Sequence, residues 1–152
     1  MTELKHIIIE GDAKSPHVDF NNLSGDLILS GRSIPENAAK VYDPLIEWIN
    51  EYIKTPRKTT NFRLHLEYYN SASTIWISKL VNSLGKIQDK NCVVIIHFYF
   101  DAEDYEEMSD TEIRHYVGTL IDNIGEISIS VAVKIYATQP DGKILKESTI
   151  LI

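Results

Sequence analysis

The 152-residue chain holds one cysteine, Cys92, so an intramolecular disulfide is excluded. Cys92 opens an apolar run, VVIIHF, where a buried thiol acting as a small hydrophobe is expected rather than a nucleophile or ligand. Positive charge is also short: 15 Lys and Arg against 22 Asp and Glu leave a net charge of −7. Such a field repels phosphate backbones and anionic lipid, which argues against nucleic acid or a membrane surface as partner. No run approaches the roughly 18 apolar residues of a membrane span. The N-terminus MTELKHIIIEGD lacks the apolar segment and small-residue cleavage site of a signal peptide, so a cytoplasmic protein without membrane insertion is expected. Seven glycines and five prolines are too few for a collagen-like or low-complexity chain. No internal repeat and no linker divide it, so residues 1–152 are expected to form a single domain with a sizeable core.

Catalytic signatures are missing as well. There is no Gly-rich phosphate loop before a helix, no G-x-S-x-G elbow and no H-E-x-x-H, which argues against nucleotide hydrolysis and serine or zinc hydrolases. His6, His17, His65, His97 and His115 show none of the short spacings of zinc sites. The acidic run DAEDYEEMSD, residues 101–110, lacks the alternating ligands and central glycine of an EF-hand and reads as a solvated loop. A docking surface for a basic partner there stays open. No metal and no cofactor is expected.

What the chain does carry is a regular alternation of strand and helix patterns. HIIIEG, HVDF and DLILSG, with polar joints, read as short strands. Ser33 and Glu36 have capping-box spacing with Pro35 in the first turn, which predicts a helix from about Ile34. Val41, Leu45, Trp48, Ile49 and Tyr52 give it an apolar face, and Pro44 predicts a bend. In FRLHLEYY, residues 62–69, Phe62, Leu64, Leu66 and Tyr68 alternate with polar partners as in a half-buried strand. A second amphipathic helix is expected from Ser73, bearing Trp76, Ile77, Leu80, Val81 and Leu84 and ending at Gly85. NCVVIIHFYF reads as a central strand covered on both faces. A third helix carries Ile113, Val117, Leu120, Ile121 and Ile124, and two strands joined at Pro140-Asp141-Gly142 close the chain. The order favours an α/β layer: a mixed β-sheet with about three crossover helices and a C-terminal β-hairpin.

One stretch stands out: LEYYNSAST, residues 66–74, passes from a bulky strand to a cluster of small polar side chains at a helix start. Capping explains one of them, since Asn, Ser and Thr accept bonds from free first-turn N–H groups, each cap contributing about 1 kcal/mol. The same N–H groups and the positive end of the helix dipole would also stabilise a phosphate on Ser71, making it a switch.

Two segments resemble the SiaC family of regulatory phosphoproteins, small bacterial domains with a STAS-like, anti-sigma-factor-antagonist-like fold. SIPENAAKVYDPLIEWINEY, residues 33–52, is similar to the family's Pro-Glu-Asn-Ala start, here Pro35, Glu36, Asn37 and Ala38, followed by Tyr-x-Pro-Leu. LEYYNSASTIWISKLV, residues 66–81, is similar to the family's strand ending in Asn-Thr-Ser-Ser. Position by position, Asn70 matches the asparagine, Ser71 the phosphoacceptor, Ala72 the next serine and Ser73 the last. Serine for threonine keeps the acceptor chemistry, whereas Ala72 removes a hydroxyl. The resemblance spans roughly residues 23–110, and the terminal hairpin looks longer than the family's.

The resemblance implies a non-catalytic switch, phosphorylated on Ser71 by a dedicated serine/threonine kinase and restored by a PP2C-type phosphatase. Unmodified, it would bind a signalling effector such as a diguanylate cyclase, linking it to cyclic-di-GMP signalling and biofilm behaviour, with Asn70, Ser73 and Thr74 at the partner-binding helix start. Two other readings stand beside it. One is a constitutive scaffold whose hydroxyls only cap. The other is a small hydrolase or transferase using Ser71 with His65 or His97 as base.

Overall fold

Seven strands lie side by side in the order in which the chain makes them: β1 (Ile7–Ile9), β2 (His17–Phe20), β3 (Asp26–Ser33), β4 (Thr59–Tyr69), β5 (Val93–Asp101), β6 (Ser130–Thr138) and β7 (Ile144–Leu151). The structure, a computed structural model, describes residues 4–121 and 129–151. β1, β2 and β3 pair antiparallel, β3 to β6 run parallel, and β7 returns antiparallel on β6. The mixed α/β sheet expected from the sequence is therefore the one found.

Parallel neighbours need crossover connections, and right-handed crossovers between adjacent strands put every helix on the same face of the sheet. α1 (Ala38–Tyr52), α2 (Ser71–Leu84) and α4 (Asp110–Ile121) form that layer, α1 packing on α2 and α2 on α4. The core lies between this layer and the sheet, with Phe20, Leu27, Leu29, Leu45, Ile49, Phe62, Ile77, Leu80 and Ile96 fully buried. Phe20 sits with its ring 5.4 Å from Trp48 and 6.4 Å from Phe62. Each such side chain contributes about 1.5–3 kcal/mol of burial. No described helix is long and apolar enough to cross a membrane.

The structure corrects several details. The first helix starts at Ala38, not near Ile34, and its cap is Asn37, whose side chain accepts the Lys40 N–H. Ser33 is the last residue of β3 and is wholly buried, so it is no cap, and Pro35 is a buried connector residue ahead of the helix. Glu36 instead pairs with Lys14 at 2.9 Å. The helix runs on through Pro44, and its buried face includes Tyr42, with Val41 beside it only partly covered. β5 is central, but the helices cover one of its faces only: Val94, Ile96 and Phe98 are buried there, while Val93, Ile95 and Tyr99 on the other side stay partly open.

The acidic run is not a loop. Asp101 caps a short helix, α3 (Ala102–Glu107), by accepting the Glu103 N–H. Ser109 then caps α4: its hydroxyl oxygen accepts the Glu112 N–H and its O–H donates to the Glu112 carboxylate. Ile113, Val117 and Leu120 face the core as expected, whereas Ile124 lies outside the described residues. The terminal hairpin turns at Pro140, Asp141 and Gly142, where Gly142 takes a φ of +89° that favours glycine.

Candidate functional site: the first turn of helix α2

A break in the register of β4 sets up the site. Gly31 pairs with Leu66 but Arg32 pairs with Tyr68, so Glu67 is an extra residue, and Gly31 opposite takes a φ of +86°. Beyond this bulge the alternation inverts. Tyr68, expected inside, points out and is 65% exposed, while Tyr69 turns inward against Tyr116 with ring centroids 5.5 Å apart. Outside, Arg32 lies 5.5 Å over the Tyr68 ring and 3.8 Å from Glu67.

A single residue, Asn70, separates the strand from the helix. Tyr69 pairs with Ser33, the Asn70 N–H donates to the Ser33 carbonyl at 3.0 Å, and α2 begins at Ser71, two residues ahead of the expected start. Asn70 is the cap. Its side-chain oxygen accepts the Ser73 N–H at 2.9 Å, and its carbonyl accepts both the Thr74 N–H at 3.1 Å and the Thr74 hydroxyl at 3.2 Å. The N–H groups of Ser71 and Ala72 remain at the open end of the helix, where no intrahelical acceptor reaches them. No acidic residue occupies this first turn.

The hydroxyls divide into two sets. Ser73 is fully buried and donates to the Ser33 carbonyl at 2.7 Å. It accepts from the Ser33 hydroxyl at 2.7 Å, and the Tyr42 hydroxyl in turn donates to Ser33. Burial pushes the Tyr42 phenol up, so it keeps its proton and the chain Tyr42, Ser33, Ser73, Ser33 carbonyl runs in one direction. Ser73 therefore ties α1, β3 and α2 together and presents no surface to a partner, contrary to its expected role. Thr74 is half-buried and bonded back to Asn70. Ser71, by contrast, is exposed, and Ile75, one helical turn along the same face, is 59% exposed.

Neither candidate base serves Ser71. Both nitrogens of the buried His97 are committed, one to the Asn61 side-chain oxygen and one to the Tyr136 hydroxyl, each at 2.8 Å. Asn61 Oδ1 only accepts, so His97 donates there and accepts from Tyr136. His65 stacks on Tyr99 at 3.7 Å, and five residues of extended strand, about 16 Å, separate it from Asn70. Sequence reasoning gave Ser33 a cap's role instead of its place in the buried hydroxyl chain and missed Tyr42. Tyr42 had a signal, since Ala38, Tyr42, Leu45, Ile49 and Tyr52 recur at helical spacing; Ser33 had none.

The profile of the SiaC family of regulatory phosphoproteins matches residues 9–119, which spans both the Asn37 cap and the Asn70 turn. The chain belongs to the SiaC family. The match is wider than the stretch that the motifs alone suggested, and it stops short of the terminal hairpin. An uncharacterised protein of Pseudomonas aeruginosa is 22% identical over 96 residues, 63% of this chain and 76% of that protein. Crystalline apo-SiaC of P. aeruginosa superposes with a TM-score of 0.63 at 16% identity, covering 84% of this chain and 98% of SiaC. SiaC solved in complex with the diguanylate cyclase SiaD, of which it is the activator, gives 0.64 at 17% identity, covering 82% and 97%. At these identities the structures establish a shared fold.

Proposed function

We propose that this SiaC-family protein is a phosphorylation-switched adaptor with Ser71 as the acceptor. Unmodified, it binds a signalling partner through the exposed apolar surface around Ser71, Tyr68 and Ile75. A serine/threonine kinase phosphorylates Ser71 and breaks that contact, and a PP2C-type phosphatase restores it. A diguanylate cyclase is the partner class, by analogy with the SiaC–SiaD complex. The observation that carries this reading is the contrast within one helical turn: Ser71 is exposed at the first residue of a 14-residue helix, with free N–H groups and no acidic side chain beside it.

The physical logic is local. A phosphate at this position brings about −1.5 to −2 charges, which the N–H groups and the dipole stabilise in the free protein. Against an apolar partner surface the same charge has to be desolvated, at a cost of several kcal/mol. Modification and binding thus exclude each other without any rearrangement of the fold. A kinase from the same cell should add about 80 Da to the protein and none to Ser71→Ala. Ser71→Asp should bind the organism's diguanylate cyclase at least about tenfold more weakly than Ser71→Ala. Equal phosphorylation of Ser71→Ala would sink the assignment.

A further inference from the structure

Three features have no part in the switch: the acidic helix α3, the terminal hairpin and the parting of two central strands. They meet at one place. β4 and β5 pair only as far as Leu64 with Phe98, although β4 continues to Tyr69 and β5 to Asp101. β4 instead stays with β3 through Tyr69, and β5 with β6 through Asp101. The sheet therefore splits at the carboxyl ends of its strands, and the gap is a cleft of about 790 Å³. That volume suits a small molecule. The hairpin turn at Pro140 and Gly142 walls one side, and the start of α3 another.

The chemistry of the walls is one-sided. Tyr69, Tyr99 and Tyr116 present rings to the cleft, and Glu67, Asp101 and Asp104 bring carboxylates, with no Lys or Arg in the lining. Arg32 partly compensates Glu67, but Asp101 and Asp104 make no ion pair among the described residues. Burial holds the Tyr69 and Tyr116 phenols protonated. Burial, and then Arg63, lower His65 as well, so the imidazole in the lining adds no positive charge at neutral pH. Arg63 itself is held outside the cleft, donating to the Tyr99 hydroxyl at 2.8 Å and lying 3.4 Å from Asp26.

We propose that this cleft is a binding site for a small organic cation, an amine or quaternary ammonium with an apolar body. Ring faces attract a cation and shed little on binding an apolar body, and two uncompensated carboxylates on the rim select positive over neutral or negative ligands. The proposal does not depend on Ser71, which is not among the residues that line the cleft.

The test is a titration of the full-length, 15N-labelled protein with 2-phenylethylamine, benzyltrimethylammonium, agmatine and spermidine, each to about 10 mM. 2-Phenylethanol and 3-phenylpropanoate serve as the neutral and anionic counterparts. At least one cation should shift amide resonances around Tyr69, Asp101, Asp104 and Gly142, and 2-phenylethylamine should bind at least about fivefold more tightly than the alcohol. The exposed Asp104→Asn should weaken the cation about threefold to tenfold and leave the alcohol unchanged. The proposal is overturned if no cation moves those resonances, if the alcohol or anion binds as well, or if Asp104→Asn changes nothing.

Discussion

Ser71 and Ser73 sit two residues apart on one helical turn, have the same side chain, and live in opposite environments. About 200° of helix rotation separates them. Ser73 is fully buried and bonded twice through its hydroxyl to Ser33. Ser71 is exposed. The difference teaches that a hydroxyl cluster at a helix start is not one feature. Its inner half is a packing device joining two helices to a strand, and its outer half is free for chemistry. The bonds of Ser73 to Ser33 and of its N–H to Asn70 decide which serine is which, because they hold that side of the first turn against β3.

Placing a carboxylate on each side gives the largest expected effect. Ser73→Asp buries a charge against the Ser33 carbonyl, where it finds no positive partner, and should cost at least about 3 kcal/mol in urea denaturation. Ser71→Asp places the same charge at an exposed helix N-terminus and should change stability by no more than about 0.5 kcal/mol, in the stabilising direction. Similar costs for the two would erase the distinction between inner and outer faces.

Acid sharpens the comparison. Removing the hydroxyl with Ser73→Val leaves the Ser33 hydroxyl without an acceptor and takes from the Ser33 carbonyl one of its two donors, Asn70 N–H being the other, and should cost about 2 kcal/mol. The inner chain contains no group that titrates between pH 4 and 9, so this deficit should be the same across the acid range. The protein as a whole should not be flat. In the unfolded chain a histidine takes its proton near pH 6.5, but in the fold His97 is held down to about 4, chiefly by burial and then by Arg63, Lys134 and His65. Between those values the unfolded chain binds the extra proton. Stability is therefore complete above about pH 6.5 and falls as pH drops, by about 3 kcal/mol at pH 4. Parent and Ser73→Val should trace parallel curves; a deficit that shrinks with acid would mean that the inner chain titrates too.

The strands, the three long helices and most of their buried faces were legible, because periodicity is a local record of which side faces the core. Cap assignment was not, and the reason is visible in two equal spacings. Ser33 with Glu36 and Ser109 with Glu112 have the same spacing, yet only Ser109 caps a helix. Ser33 is claimed by the sheet, through its pairing with Tyr69, and by a hydroxyl 40 residues away. No window of sequence contains that contact. The inversion of Tyr68 and Tyr69 was hidden for the same reason, since a bulge belongs to a pair of strands and its one trace was Gly31 in the other strand. The Asn70 turn was legible in substance, and its resemblance to a known motif singled out Ser71, but the burial of Ser73 had to come from three dimensions.

The smallest expected effect separates the two helix caps. Asn37 and Asn70 each accept an N–H three residues on, at 3.3 Å and 2.9 Å respectively, but they differ in what else depends on them. Asn37 stands in an open connector, so Asn37→Ala should cost about 0.5 kcal/mol. The Asn70 side chain holds Ser73 by its N–H, and the Ser73 hydroxyl is the one that reaches Ser33. Asn70→Ala should therefore cost about 1 kcal/mol for the cap and, by loosening Ser73, reduce the further penalty of Ser73→Val in the double variant. Additive costs in that cycle would mean that the cap and the buried chain are independent, and that the outer face around Ser71 is held by helix packing alone.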